Sequence, residues 1–136
     1  MRGSVSDRES GAAAVEFVAV LGLLVTLLFG ILEVGLIMNC QLALSSFARE
    51  VARSAAVHGG DQAPTRAYAE YLANALGLDL ARLQLYISPR NASYGTPVEV
   101  TVRYEYLTRT PVGVALWAGR IVLESRLVSR SERIRR

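Results

Sequence analysis

From Phe17 to Met38 the chain reads FVAVLGLLVTLLFGILEVGLIM, an apolar run interrupted only by Thr26 and Glu33. At 1.5 Å per residue a helix of this run spans about 33 Å, close to the thickness of a bilayer's hydrocarbon core. The run is apolar all round, so a soluble globule has no face to which it can turn a polar side. It predicts a single membrane-spanning helix, and the isolated glycines Gly22, Gly30 and Gly35 are tolerated there because they permit close helix approach.

A second feature stands at the threshold of that run. Gly11-Ala12-Ala13-Ala14-Val15-Glu16-Phe17 places a carboxylate five residues after a glycine that ends a short polar leader. An acidic side chain near the bilayer centre costs roughly 2.5 to 3.5 kcal/mol on insertion scales, so a glutamate retained there has a partner or a job. A cleaved secretory signal does not fit, because the small residues Ala12 to Ala14 precede the apolar run instead of following it. Cys40 lacks the small preceding residues of a lipoprotein acceptor, and as the lone cysteine it reads as an inert residue at the membrane boundary.

Met1 to Ser10 is polar and rich in serine and charge, which suits a disordered leader. Beyond Asn39 the helix should continue in amphipathic form, since Leu44, Phe47, Ala48, Val51, Ala52 and Ala55 recur at spacings of three and four. Gly59-Gly60 ends it. A second helix is expected from Asp61 or Gln62, with Pro64 in its first turn and a buried stripe of Tyr68, Tyr71, Leu72, Ala75 and Leu76. The period then drops to two. Leu83, Leu85 and Ile87 predict one strand, Val98, Val100, Val102, Tyr104 and Tyr106 a second, and Ile121 to Ser129 a third. Between the last two, Thr110 to Gly119 suits one or two helical turns that tuck Trp117 onto the sheet. Short connections favour an antiparallel meander covered by the helices, so the expected class is α+β: a long N-terminal helix with a membrane half and an amphipathic half, a second short helix, and a small three-stranded antiparallel sheet. The expected divisions are a leader at 1–11, a transmembrane helix at 12–38 and an extracytoplasmic α/β domain at 39–136.

The inventory for catalysis is poor, and no catalytic residues are assigned. His58 is the single histidine and has no second histidine or cysteine near it in sequence, so it reads as an exposed helix-end residue and no metal site is expected. The chain contains no lysine, which a phosphate-binding loop requires. Glu99 and Glu105 lie about 20 Å apart at strand rise, too far for a carboxylate pair acting alone, and read as solvated charges. The formal charge is +3, and its excess, from Arg126 to Arg136, reads as a solvated terminus. No cofactor, nucleic acid or small-molecule substrate is implied.

Gly11 followed by Glu16-Phe17 resembles the prepilin peptidase site of type IV pilin-like proteins. More narrowly, Gly30-Ile31-Leu32-Glu33-Val34-Gly35 and Ala48-Arg49-Glu50-Val51-Ala52-Arg53 resemble the GI-x-E-x-G and A-R-E-x-A-R segments of TadE-like proteins, minor pilin-like components (pseudopilins) of the tight adherence, or Flp, pilus system. The resemblance is strong from Gly11 to about Ala56. Beyond it, the strand-rich pattern and the closing Arg130-Ser131-Glu132 are reminiscent of the family. Leu21-Gly22 departs from the Leu-Pro of many members.

The resemblance implies a truncated pilin-like architecture and cleavage between Gly11 and Ala12 by a cytoplasm-facing prepilin peptidase. Met1 to Gly11 would then be inside and Asn39 to Arg136 outside a bacterial cytoplasmic membrane, with possible passage into an extracellular pilus. It further implies that Glu16, beside Phe17, serves subunit assembly by pairing with the Ala12 amine of a neighbour. The partners implied are other pilin-like subunits, the Tad secretion machinery and membrane lipid. Gly30, Glu33 and Gly35 are candidates for helix–helix contact, although Glu33, about 25 Å beyond Glu16 along the helix, could instead snorkel at the opposite interface. The competing reading is an uncleaved single-pass scaffold or binding protein of a secretion complex.

Overall fold

In a computed structural model of the chain, the described backbone covers residues 4–133, and side-chain surroundings are described from Gly11 onward. The elements run α1 (Ser4–His58), α2 (Ala63–Ala75), a short 3-10 turn (Leu80–Arg82), β1 (Leu83–Ser88), β2 (Pro97–Leu107), α3 (Pro111–Trp117) and β3 (Arg120–Arg130). The class is α+β, with a three-stranded sheet of order β1-β2-β3 and both pairings antiparallel.

The helix begins earlier than the composition of the leader suggests. Ser4 to Ser10 is helical, which corrects the expectation of disorder there; residues 1–3 lie outside the described range. Initiating a helix is costly while extending one adds a hydrogen bond per residue fixed, so a polar segment attached to a long apolar helix can be recruited into it.

Contacts divide the chain into two compact units. One joins α1 up to Gly35 with Thr108–Gly119; the other joins Leu36–Leu107 with the chain from Arg120 onward. In the first unit the apolar stretch of α1 is largely exposed apart from the positions around Glu33, and by length and composition it is able to cross a membrane.

The second unit holds the hydrophobic core. Leu44, Phe47, Ala48, Val51, Ala52 and Ala55 of α1 are all buried, as the three-and-four spacing predicts, and they pack with Ala69 and Ala73 of α2, Ile87 of β1 and Val98, Val100, Val102, Tyr104 and Tyr106 of β2. Cys40 is half-buried against this cluster. The buried stripe of α2 differs from the expected one. Thr65, Ala69 and Ala73 face inward, whereas Tyr71 is 68% exposed and Leu76 is also exposed. Small side chains let a helix approach its neighbour closely, and the large tyrosine keeps its polar tip in water more cheaply at the flank.

At the end of α1, Gly59 and Gly60 adopt left-handed φ values of 79° and 105°. The Gly60 N–H reaches back to the Ala55 carbonyl at 2.7 Å, the closing bond of a Schellman motif. The chain's closing segment satisfies further carbonyls there: Glu132 N–H donates to Ala56 O at 2.9 Å, and the Arg133 guanidinium donates to His58 O at 3.1 Å. Ser131 is buried between them, its hydroxyl within 3.4 Å of the carbonyls of Ala56 and Ala92. Arg126 and Arg130 belong to β3, so the basic segment is structural as far as residue 133 instead of a free solvated tail.

Candidate functional site

Three places carry the residues that the sequence singles out. The first is the start of the apolar helix. Gly11 to Phe17 is helical and wholly exposed, and Glu16 has no hydrogen bond or ion pair among the described residues. A carboxylate on a bare helix surface beside Val15 and Phe17, both largely exposed, is satisfied only by water or by another molecule. The structure holds Gly11, Ala12, Glu16 and Phe17 on one helical segment and, among the described residues, brings no other part of the chain to them.

The second place is Glu33. Its side chain is fully buried, at 0% exposure, and it is not snorkelling to solvent as the sequence allowed. One carboxylate oxygen, Oε2, accepts the Thr110 N–H at 2.8 Å and the Arg109 N–H at 3.2 Å; Oε1 lies 3.3 Å from the Arg109 nitrogen. These are backbone donors in the turn that opens α3. Local sequence sets that turn: the Thr110 side chain caps the helix by accepting the Gly113 N–H at 3.1 Å, and Pro111 occupies the first helical position, where its missing N–H is not needed.

Gly113 completes the arrangement. A Cβ there would come within 2.8 Å of the Glu33 carboxyl carbon, its Oε2 and the Thr108 Cβ. Only a glycine lets α3 sit directly on the carboxylate. The positive end of the helix dipole and two aligned N–H groups face a negative charge, each such charge-assisted bond contributing about 1.5 to 3 kcal/mol. The turn closes on itself through Thr108 N–H to Gly119 O at 3.0 Å, with Ala118 at a left-handed φ of 52°.

Sequence reasoning found Glu33 but not its partner. The partner is a backbone seventy-odd residues away, and main-chain donors leave no mark on side-chain pattern. The signal that was available is Thr110-Pro111 followed by Gly113 in a stretch without charge. Trp117 was expected to tuck in, yet it remains 38% exposed. Gly30 and Gly35 meet open space: a Cβ added at either would touch nothing within 4 Å.

The third place is the outer face of the sheet, where Glu99 and Glu105 lie. They are not merely solvated. Glu99 pairs with Arg126 at 2.6 Å, Glu105 with Arg120 at 3.2 Å, and Arg103 between them pairs with Glu124, directly opposite on β3, at 2.8 Å. Such exposed pairs contribute little stability, but alternating charge sets register and makes a flat edge less sticky. Elsewhere, Asp61 is held below the usual carboxylate range by its hydrogen bond from Arg66, with the charges of Arg66 and Arg90 adding to the effect against a burial that opposes it.

His58 is exposed at the end of α1, and among the described residues its ring shares hydrogen bonds with Ser54, one turn earlier. Among the described residues no three His, Cys, Asp or Glu side chains meet at metal-binding spacing.

No curated protein and no solved structure matches the chain. A family model described as TadE-like protein matches residues 11–53, the segment that runs from Gly11-Ala12 through Glu16 and Glu33 to Arg53. The stretch from Gly11 to Arg53, about a third of the chain, is thus similar to the TadE-like family.

Proposed function

We propose that this protein is a pilin-like component in the assembly of a tight adherence, or Flp-type, pilus, processed by prepilin peptidase between Gly11 and Ala12. The observation that carries the reading is the exposed apolar helix with, near its start, a Glu16 that has no partner among the described residues. In a bundle of such helices two buried charges are tolerable only together, and the new Ala12 amine of a neighbouring subunit has the charge that Glu16 requires. The protein acts through packing and assembly and not through catalysis. Its partners are the peptidase, other pilin-like subunits and the secretion machinery of the pilus.

On this reading the leader faces the cytoplasm and the sheet-bearing domain lies outside. Sequencing the N-terminus of the protein recovered from its native membrane tests it. A start at Ala12 is expected; a start at Met1 overturns processing and favours a single-pass scaffold.

A further inference from the structure

The short helix α3 contains no charged residue and leaves its largest side chains uncovered: Val114 is 53%, Leu116 67% and Trp117 38% exposed. Apolar surface of this size is favourable to remove from water, so a water-facing α3 would forgo that stabilisation. Its attachment point says what medium covers it. Glu33 lies five residues before the Met38 end of the apolar run, about 7.5 Å along the helix axis, and interfacial helices bury their apolar faces roughly 5–10 Å into the headgroup and acyl boundary.

The polar groups of the turn also suit that depth. The N–H groups of Thr108, Arg109, Thr110, Gly113 and Val114 all have acceptors within the same unit and Pro111 has none to satisfy, which leaves the buried Thr108 hydroxyl as the one side-chain group of the turn without a partner among the described residues. A backbone can enter the apolar boundary only when its hydrogen bonds are closed internally. The Glu33 carboxylate, itself too costly to leave bare at that depth, accepts hydrogen bonds from the Arg109 and Thr110 N–H groups.

We propose that α3 is a second lipid anchor, dipping beside α1 into the leaflet at the Met38 end with Val114, Leu116 and Trp117 at the acyl boundary and Glu33 setting its depth. The proposal rests on α1 spanning the membrane but not on processing or pilus assembly.

Trp117 is the sole tryptophan, so it reports on α3 without labelling. The full chain is reconstituted in phosphatidylcholine vesicles, some carrying acyl chains brominated near the headgroup and others near the methyl end. Bromines near the headgroup should quench Trp117 about twofold more strongly than those near the methyl end, with little quenching by aqueous iodide, as for an interfacial ring. Leu116→Glu should lose most of the lipid quenching while the chain still resists carbonate extraction and trypsin still cuts slowly after Arg109, which shows that α3 remains folded.

Iodide-accessible Trp117 in a carbonate-resistant chain overturns the proposal. So does protection that rises with protein-to-lipid ratio and ignores bromine, since a second copy would then cover the face. Release of the whole chain by carbonate removes the spanning reading and the proposal with it.

Discussion

Glu33 Oε2 accepts the backbone N–H of Thr110 at 2.8 Å, which ties a carboxylate in the apolar helix to the start of a helix far along the chain. A glutamate within the apolar helix is thereby satisfied within its own chain. Replacing it leaves the Arg109 and Thr110 N–H groups unpaired, at about 1 to 3 kcal/mol each. Glu33→Ala should therefore speed tryptic cleavage after Arg109 by about tenfold or more, each 1.4 kcal/mol of easier opening being a factor of ten. Glu33→Gln keeps one acceptor oxygen and should have a smaller effect. Unchanged cleavage in both would sink the clasp.

Gly113→Ala attacks the same contact from the other side. Its Cβ would stand 2.8 Å from the Glu33 carboxyl group, well inside van der Waals contact, so the helix must lift. Cleavage after Arg109 should rise as in Glu33→Ala, and the double variant should be no worse than the more damaging single one, because both remove one interaction. Additive effects would separate the two residues.

Glu16→Ala should leave membrane insertion intact, since it removes the charge that opposes it. Incorporation into the assembly should fall, as measured by the variant's recovery with sheared pili or co-purified pilin-like subunits. Wild-type recovery would eliminate Glu16 as an assembly residue.

Phe47 is the largest fully buried side chain of the core. Phe47→Ala should destabilise the sheet-bearing unit by about 3–5 kcal/mol, a large part of a small domain's stability. Thermal unfolding of the full chain in detergent, followed by circular dichroism, should show a lower midpoint, with carbonate resistance of the membrane helix unchanged.

The Asp61–Arg66 pair, 2.6 Å at its closest, gives the same unit a pH dependence. Arg66 lowers the carboxyl's pKa in the folded protein, so the stabilisation is present above the unfolded value of about 3.9 and is lost as pH falls through the lower folded value. Arg66 is half exposed, which limits the effect to about 1 kcal/mol. Asp61→Asn should melt earlier than the parent at neutral pH, and the two curves should converge in acid. A gap that persists in strong acid would assign the loss to packing.

Much of this molecule is legible in order of sequence. The apolar run, the buried positions of α1 from Leu44 to Ala55, the alternation of β2 and the glycines that stop α1 follow from local periodicity and backbone sterics, which act between near neighbours. The sequence by itself determined a long helix able to cross a bilayer, its amphipathic continuation and a three-stranded meander. Tertiary structure decided what Glu33 meets, which face α2 buries, and that Glu99 and Glu105 pair with arginines of β3. The reason is physical: the Glu33 partner is a pair of main-chain N–H groups, identical in every residue but proline, and their position depends on how a distant turn is folded. Likewise Ala69 and Ala73 win the core over Tyr71 through close approach, a property of two surfaces together that no single helix displays.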